Sequence, residues 1–190
     1  MLSEKLGHAF DKPLSSFARK ISLSPNALSV TGFFITLIAS CVLAFNLRYG
    51  GILVLAGGLF DILDGVVARV NKKSSSFGAF LDSVLDRYSD AFILLAIAWN
   101  LGSNNNNTGA VLCLGSLIGA FLVSYSRARA EGLGEKCAYG LMERPERIIM
   151  VSFGAITGYI MPALWVLLIL THFTVFQRIY YVWKMTGERP

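Results

Sequence analysis

The chain has 190 residues, 54% of them hydrophobic, with 17 Lys and Arg against 12 Asp and Glu, a net charge of +5 and a mean hydropathy of +0.57. A soluble domain carries about 45–50% apolar residues, and a chain this short lacks the volume to bury the surplus in its own core. That excludes an ordinary soluble domain and makes lipid the solvent. The basic residues are split among several short segments, which excludes a nucleic-acid-binding face. The three cysteines, Cys41, Cys113 and Cys137, form no CxxC or Cys/His cluster, which excludes a zinc site or disulfide framework.

Residues 1–20 are amphipathic, with Phe10, Leu14 and Phe17 set among Lys5, Lys12, Arg19 and Lys20. This pattern predicts a helix lying in the membrane interface rather than a cleaved signal peptide. Six apolar stretches follow, at about 26–47, 50–70, 77–102, 108–130, 146–160 and 161–183, and each of the first four reaches the ~20 residues that a helix needs to cross the bilayer core. The last two are divided only by 158–162, whereas Tyr49-Gly50-Gly51 and the polar runs 71–76 and 103–107 mark the other joins. With the N-terminus inside, segments 1–25, 70–77, 130–146 and the C-terminal tail, together with their span ends, hold every Lys and Arg except Arg48. The positive-inside rule then selects N-in, C-in and an even number of spans. The expected fold is an all-α integral membrane domain over 1–190. It has an interfacial helix at 1–20 and six transmembrane helices over 21–185, multi-pass in the cytoplasmic membrane.

Two spans carry charges that lipid disfavours: Asp61 and Asp64 in the second, Asp82 and Asp86 in the third. A charge at a span's centre costs ~2.5–3.5 kcal/mol on insertion scales, so four aspartates need a function. Asp61 and Asp64 are three residues apart, Asp82 and Asp86 four, so each pair shares a helix face. Gly65 and Ala68 lie on the first face and Gly78 one turn before Asp82, small residues that leave room for a ligand or a close helix. Counted from the 71–76 loop, Asp61 and Asp86 lie about 15 Å along their helices and Asp64 and Asp82 about 9–10 Å. Adjacent antiparallel helices are expected to bring the four together. Two like charges at 4 Å repel by ~4 kcal/mol at an effective dielectric of 20, so either some of the four are protonated or cations enter. Oxygen-only ligands favour Mg²⁺, Mn²⁺ or Ca²⁺ over zinc, and a two-ion arrangement suits displacement at phosphorus. Competing readings are buried salt bridges with Arg69 and Arg87, or a cation-coupled transporter. Asp90, a turn deeper, is expected to partner a polar group, and isolated His8 and His172 have no ligand role.

The pattern Asp61-x-x-Asp64-Gly65-x-x-Ala68-Arg69, then eight residues, then Gly78-x-x-x-Asp82-x-x-x-Asp86, resembles the signature of the CDP-alcohol phosphotransferases at all eight specified positions. The resemblance implies that Asp61, Asp64 and Asp82 hold metal, two Mg²⁺ or Mn²⁺ ions, and that Asp86 both contacts metal and acts as general base. It also implies a CDP-linked lipid as donor, CDP-diacylglycerol or CDP-archaeol, an active site facing the cytoplasm, and a homodimer. Pro25-Asn26-Ala27-Leu28-Ser29 resembles the family's nucleotide-contacting segment, joined by Gly65, Arg69 and Ser75. Asn26, Ala27, Leu28 and Ser29 read equally well as a helix N-terminus punctuated by Pro25.

A second basic cluster bears on the acceptor. Ser124-Tyr125-Ser126-Arg127-Ala128-Arg129-Ala130-Glu131, Glu143-Arg144-Pro145-Glu146-Arg147, and Gln177-Arg178 followed by Val182-Trp183 resemble the phosphatidylinositol-phosphate synthases of bacteria and their archaeal archaetidylinositol-phosphate counterparts. The resemblance places the acceptor's phosphate among Ser124, Arg127, Arg147 and Arg178. Arg127 stands where lysine is common in the subgroup, and its fork-shaped head alters the pocket's geometry. Independently, Arg178 in an apolar span is expensive without an anion, whereas Arg127 and Arg147 at span ends also suit snorkelling or anionic lipid. Arg129 and Arg144 are expected to be structural, paired with Glu131, Glu143 or Glu146. The implied reaction is attack of an inositol 1-phosphate hydroxyl, activated by Asp86, on the β-phosphorus of the CDP-lipid, with release of CMP. Glycerol 3-phosphate, as in a phosphatidylglycerophosphate synthase, is the alternative acceptor.

Overall fold

The computed structural model describes residues 24–70, 75–137 and 139–187, except for the side chains of 62–65, 68 and 69. The interfacial helix expected over 1–20 lies outside the described residues. Within them the chain forms helices α1 (Pro25–Phe45), α2 (Leu47–Val70), α3 (Ser76–Ser103), α4 (Asn107–Gly132), α5 (Arg144–Thr157) and α6 (Ile160–Thr186), and no strand. Helices α1, α4 and α6 are long and apolar enough to cross a membrane by length and composition. The 14 residues of α5 extend only about 21 Å.

Local chemistry sets the helix starts. Ser24, Ser75 and Asn106 each cap a helix, their side-chain oxygens accepting from Ala27 N at 3.2 Å, Gly78 N at 3.0 Å and Gly109 N at 2.9 Å. Pro25 occupies the first turn of α1, where its missing N–H costs nothing. The first join falls earlier than the Tyr49-Gly50-Gly51 expected from sequence. It is the single extended residue Asn46, whose Oδ1 accepts from Tyr49 N at 3.1 Å. Gly50 and Gly51 lie inside α2 because neighbours crowd them: a Cβ on Gly50 would meet Leu43 at 2.5 Å, and one on Gly51 would meet Ala155 at 2.9 Å. Gly158, at φ 83°, ends α5 in the left-handed region and divides it from α6.

The helices close into a ring in the order α1, α3, α4, α6, α5, α2. The adjacent packing of α2 and α3 expected from sequence does not occur, for these two helices hardly touch and α1 packs against both. Small residues make this possible: a Cβ on Gly32 of α1 would stand 3.0 Å from Asp61 Oδ1, and one on Gly57 of α2 would stand 2.7 Å from Thr36 Oγ1. The ring has an apolar half and a polar half. Leu43, Val54, Ile93, Ile97, Leu164 and Leu167 fill the end near the joins at Asn46, 104–106 and 158–159. The acidic and basic side chains occupy the other end. Outside, Phe34, Ile38, Leu59, Val111, Ile118, Phe153, Ile169 and Phe176 are exposed, an apolar wall of the kind lipid covers.

Candidate active site

The separation of α2 and α3 leaves a gap in the polar half, and α5 supplies what enters it. Asp61 projects from α2, Asp82 and Asp86 from α3, and Arg144 opens α5. Arg144 Nη1 lies 2.9 Å from Asp61 Oδ2 and 2.7 Å from Asp86 Oδ1. Asp82 and Asp90 are close enough to act electrostatically on the same guanidinium. Arg87 Nη1 reaches Asp86 Oδ2 at 3.5 Å and donates to Ser83 O at 2.7 Å. Asp61, Asp82 and Asp86, predicted from sequence as a cluster, therefore do converge. Asp64, Gly65, Ala68 and Arg69 lie on the same helix as Asp61, with side chains outside the described residues.

A cavity of about 200 Å³ opens on one side of Asp86, lined by Ser124, Arg127, Glu143, Arg144, Arg147 and Arg178 among others. All four residues matched to an acceptor pocket thus face one space. Their charges are held by this chain's own groups. Arg178 is 2% exposed; it donates from Nε to Tyr139 O at 2.6 Å, from Nη1 to Val123 O, and from Nη2 to Glu143 Oε1 at 3.2 Å. Arg147 donates from Nη2 to Asp90 Oδ2 at 2.6 Å and from Nη1 to Met142 O at 3.2 Å, and its buried Nε has no partner. Asp90 is thus the structural partner of an arginine, as its depth suggested. Arg127 lies 2.9 Å from Glu131 and 3.6 Å from Glu143.

On the other side of Asp86, between α2 and α5, runs a groove of about 330 Å³ with Leu55, Leu59, Ile148 and Ile149 on its walls and Asp61 and Asp82 at its polar end. A larger hollow of about 1150 Å³ between α3 and α4 also reaches Asp86, past Phe80, Tyr88, Phe121 and Tyr125. The segment matched to nucleotide contact divides into two groups. Asn26 meets the start of α3, where a Cβ on Gly78 would come within 2.7 Å of Asn26 Oδ1 and 3.0 Å of Ser75 Oγ. Leu28 instead packs with Val66 and Val67, Ser29 Oγ donates to Pro25 O at 3.2 Å, and Ala27 N is held by the Ser24 cap.

Among the described residues no three acidic, cysteine or histidine side chains are grouped as around a metal. The donors nevertheless suit a hard divalent cation: the floor is carboxylate oxygen, which Mg²⁺ and Mn²⁺ prefer, and a cationic nitrogen already stands between two of those carboxylates.

Sequence reasoning misplaced two residues of the site. Arg144, expected to pair with Glu131, Glu143 or Glu146, instead bridges Asp61 and Asp86, because α5 enters the gap that α1 creates. Glu143, expected only as a partner of Arg129 or Arg144, spans Arg127 and Arg178. A signal was present: a cation in the first turn of a helix opposes the macrodipole, and glutamate is not among the favoured capping residues.

A sequence profile described as CDP-alcohol phosphatidyltransferase matches residues 22–183. The archaetidylinositol phosphate synthase of Methanothermobacter thermautotrophicus is 40% identical over 178 residues, covering 90% of this chain and 89% of that one. The phosphatidylinositol phosphate synthase of Mycobacteroides abscessus is 32% identical over 200 residues, covering 98% and 90%. Crystal structures of the Mycobacterium tuberculosis phosphatidylinositol phosphate synthase superpose closely. The one with CDP-DAG bound has a TM-score of 0.81 at 28% identity, covering 91% of this chain and 93% of that one. The one in complex with manganese and citrate has a TM-score of 0.82 at 28% identity, covering 91% and 88%.

Proposed function

The chain belongs to the CDP-alcohol phosphatidyltransferase family, and on that premise we infer that it transfers a phosphatidyl or archaetidyl group from a CDP-lipid to inositol 1-phosphate, with release of CMP. The observation that carries this reading is the position of Asp86, which borders both the arginine-lined cavity and the apolar groove. A phosphorylated, water-soluble acceptor suits the first space and lipid chains suit the second. Asp86 stands where an acceptor hydroxyl would meet a lipid-linked phosphorus. The names of the relatives and the CDP-DAG in a related structure support the same substrates.

In this reading Asp86 accepts the proton of the attacking inositol hydroxyl. Ser124, Arg127, Arg147 and Arg178 orient the acceptor through its phosphate. Asn26, Ser75 and Gly78, where the starts of α1 and α3 meet, suit the nucleotide, because helix N-termini favour anions; Ala27, Leu28 and Ser29 shape that corner from within α1. By the family resemblance Gly65 and Arg69 would join them in holding the nucleotide, Arg69 pairing with phosphate. Asp61, Asp64, Asp82 and Asp86 would hold two Mg²⁺ or Mn²⁺ ions, whose contribution when bound is to neutralise phosphate charge and align the attacking and leaving oxygens. Manganese in a related structure supports this. The protein's share is positioning and fixed electrostatics. In this reading the six-helix bundle sits in the cytoplasmic membrane with both termini inside, so the site faces the cytoplasm, and two copies form a homodimer.

The test is CMP release by purified protein with Mg²⁺ or Mn²⁺ and either CDP-lipid. Release is expected only when inositol 1-phosphate is added. Equal release with glycerol 3-phosphate overturns the acceptor, and no release with any acceptor overturns the reaction.

A further inference from the structure

Glu143 and Arg144 are consecutive, yet they face opposite parts of the site. Arg144 Nη1 bridges Asp61 and Asp86 at 2.9 and 2.7 Å. Glu143 Oε1 stands 3.2 Å from Arg178 Nη2 and 3.6 Å from Arg127 Nη1. Neither side chain is used in capping the helix it opens. Glu143 is the N-cap of α5 but makes no side-chain capping hydrogen bond, and Arg144 puts a cation in the first turn, where the helix dipole disfavours it. Pro145 follows and restricts the backbone of Arg144 before it. A cation against the dipole at Arg144, beside an N-cap whose carboxylate reaches across to Arg127 and Arg178 rather than capping, points to a function for both.

The charges show what the function is. A cation lies among the carboxylates assigned above to divalent metal, and an anion lies among the arginines assigned to the acceptor's phosphate. We propose that the Glu143-Arg144 step is a built-in occupant of the site, competing with divalent metal for Asp61 and Asp86 and with the acceptor's phosphate for Arg127 and Arg178. Without ligands, it spares the polar half the cost of unpaired buried charge. When metal enters, Arg144 gives up the carboxylates and is free to meet phosphate. When phosphate enters, Glu143 gives up the arginines. Because one backbone step carries both, each exchange loosens the other, and a site filled by only one ligand is disfavoured. The inference rests on the function proposed above.

The test is Mn²⁺ binding, read from the loss of the free-ion EPR signal, together with thermal midpoints in detergent with and without Mn²⁺. R144Q is expected to bind Mn²⁺ at least about fivefold more tightly than the unaltered protein, the low end of ordinary site-to-site coupling. Its midpoint should fall in the metal-free state and match the unaltered protein when Mn²⁺ is saturating. Unchanged or weaker binding, or an equal midpoint loss in both states, overturns the proposal and leaves the metal site standing. If R144Q does not fold, R144K carries the test: it keeps the charge without the fork and should bind Mn²⁺ with intermediate affinity, and affinity no higher than the unaltered protein's counts against the proposal. E143Q should bind inositol 1-phosphate more tightly in calorimetry, and weaker or equal binding removes the phosphate half. No Mn²⁺ binding by any form overturns both the metal reading and this inference.

Discussion

At the scale of single residues, the polar half depends on buried charges that are paired. Asp90 and Arg147 are 4% and 5% exposed at the side chain and 2.6 Å apart. Removing one partner of such a pair costs about 3–5 kcal/mol, because the other charge is left buried and uncompensated. D90N is therefore expected to lower the thermal midpoint sharply and, because Arg147 lines the cavity, to raise KM for inositol 1-phosphate more than KM for the CDP-lipid. A D90N protein with both constants unchanged would show that Asp90 does not position Arg147. Asp61, Asp82 and Asp86 were legible in the sequence because lipid makes a charge conspicuous, and Arg178 was legible for the same reason. Arg144 was not. It opens α5 between Glu143 and Glu146, so nearby glutamates were the natural partners to name, whereas its real partners sit on α2 and α3, far off in sequence. Glu143 was missed for the same cause, its arginines lying on α4 and α6.

At the scale of elements, the apolar stretches gave the helix count, and Ser, Asn, Pro and Gly gave most of the ends. What they left open was which helices touch. Sequence neighbours pack together often enough that α2 beside α3 was the natural expectation; only the cleft left by Gly32 and Gly57 lets α1 pack against both. Two glycine substitutions separate the support of the site from the general cost of strain. Gly57→Val drives a side chain into Thr36, which is 3% exposed, and overpacking of that kind costs about 1–3 kcal/mol. Gly158→Ala has nothing within 4 Å but holds φ at 83°, a left-handed position that costs an L residue roughly 1–2 kcal/mol. Both should lower the midpoint by similar amounts. Only Gly57→Val should also weaken Mn²⁺ binding and slow CMP release, because α1 and α2 set the position of Asp61. If Gly158→Ala impairs Mn²⁺ binding equally, the wedge of α1 is not what places the aspartates.

At the scale of the whole molecule, orientation decides whether the site is reachable. The exterior is apolar around its middle, with Tyr49, Trp99 and Tyr159 exposed near one end and Tyr180 and Trp183 exposed toward the other, as interfacial aromatic belts are. The end near the joins at Asn46, 104–106 and 158–159 holds the apolar core, and among the described residues the only Lys or Arg there is Arg48. The opposite end holds the aspartates and the arginine-lined cavity. A nucleotide and a sugar phosphate are both too polar to cross lipid, so the charged end must face the compartment that supplies them, which in the orientation proposed above is the cytoplasm. Exposed Asn104 and Lys136 lie at opposite ends of α4. In a background with Cys41, Cys113 and Cys137 replaced, N104C in intact cells is expected to react with a membrane-impermeant maleimide. K136C should react only after the membrane is opened. The opposite pattern would invert the bundle and overturn the proposed orientation of the site. Labelling of both from outside would mean that α4 does not span, and the six-helix arrangement would fall with it.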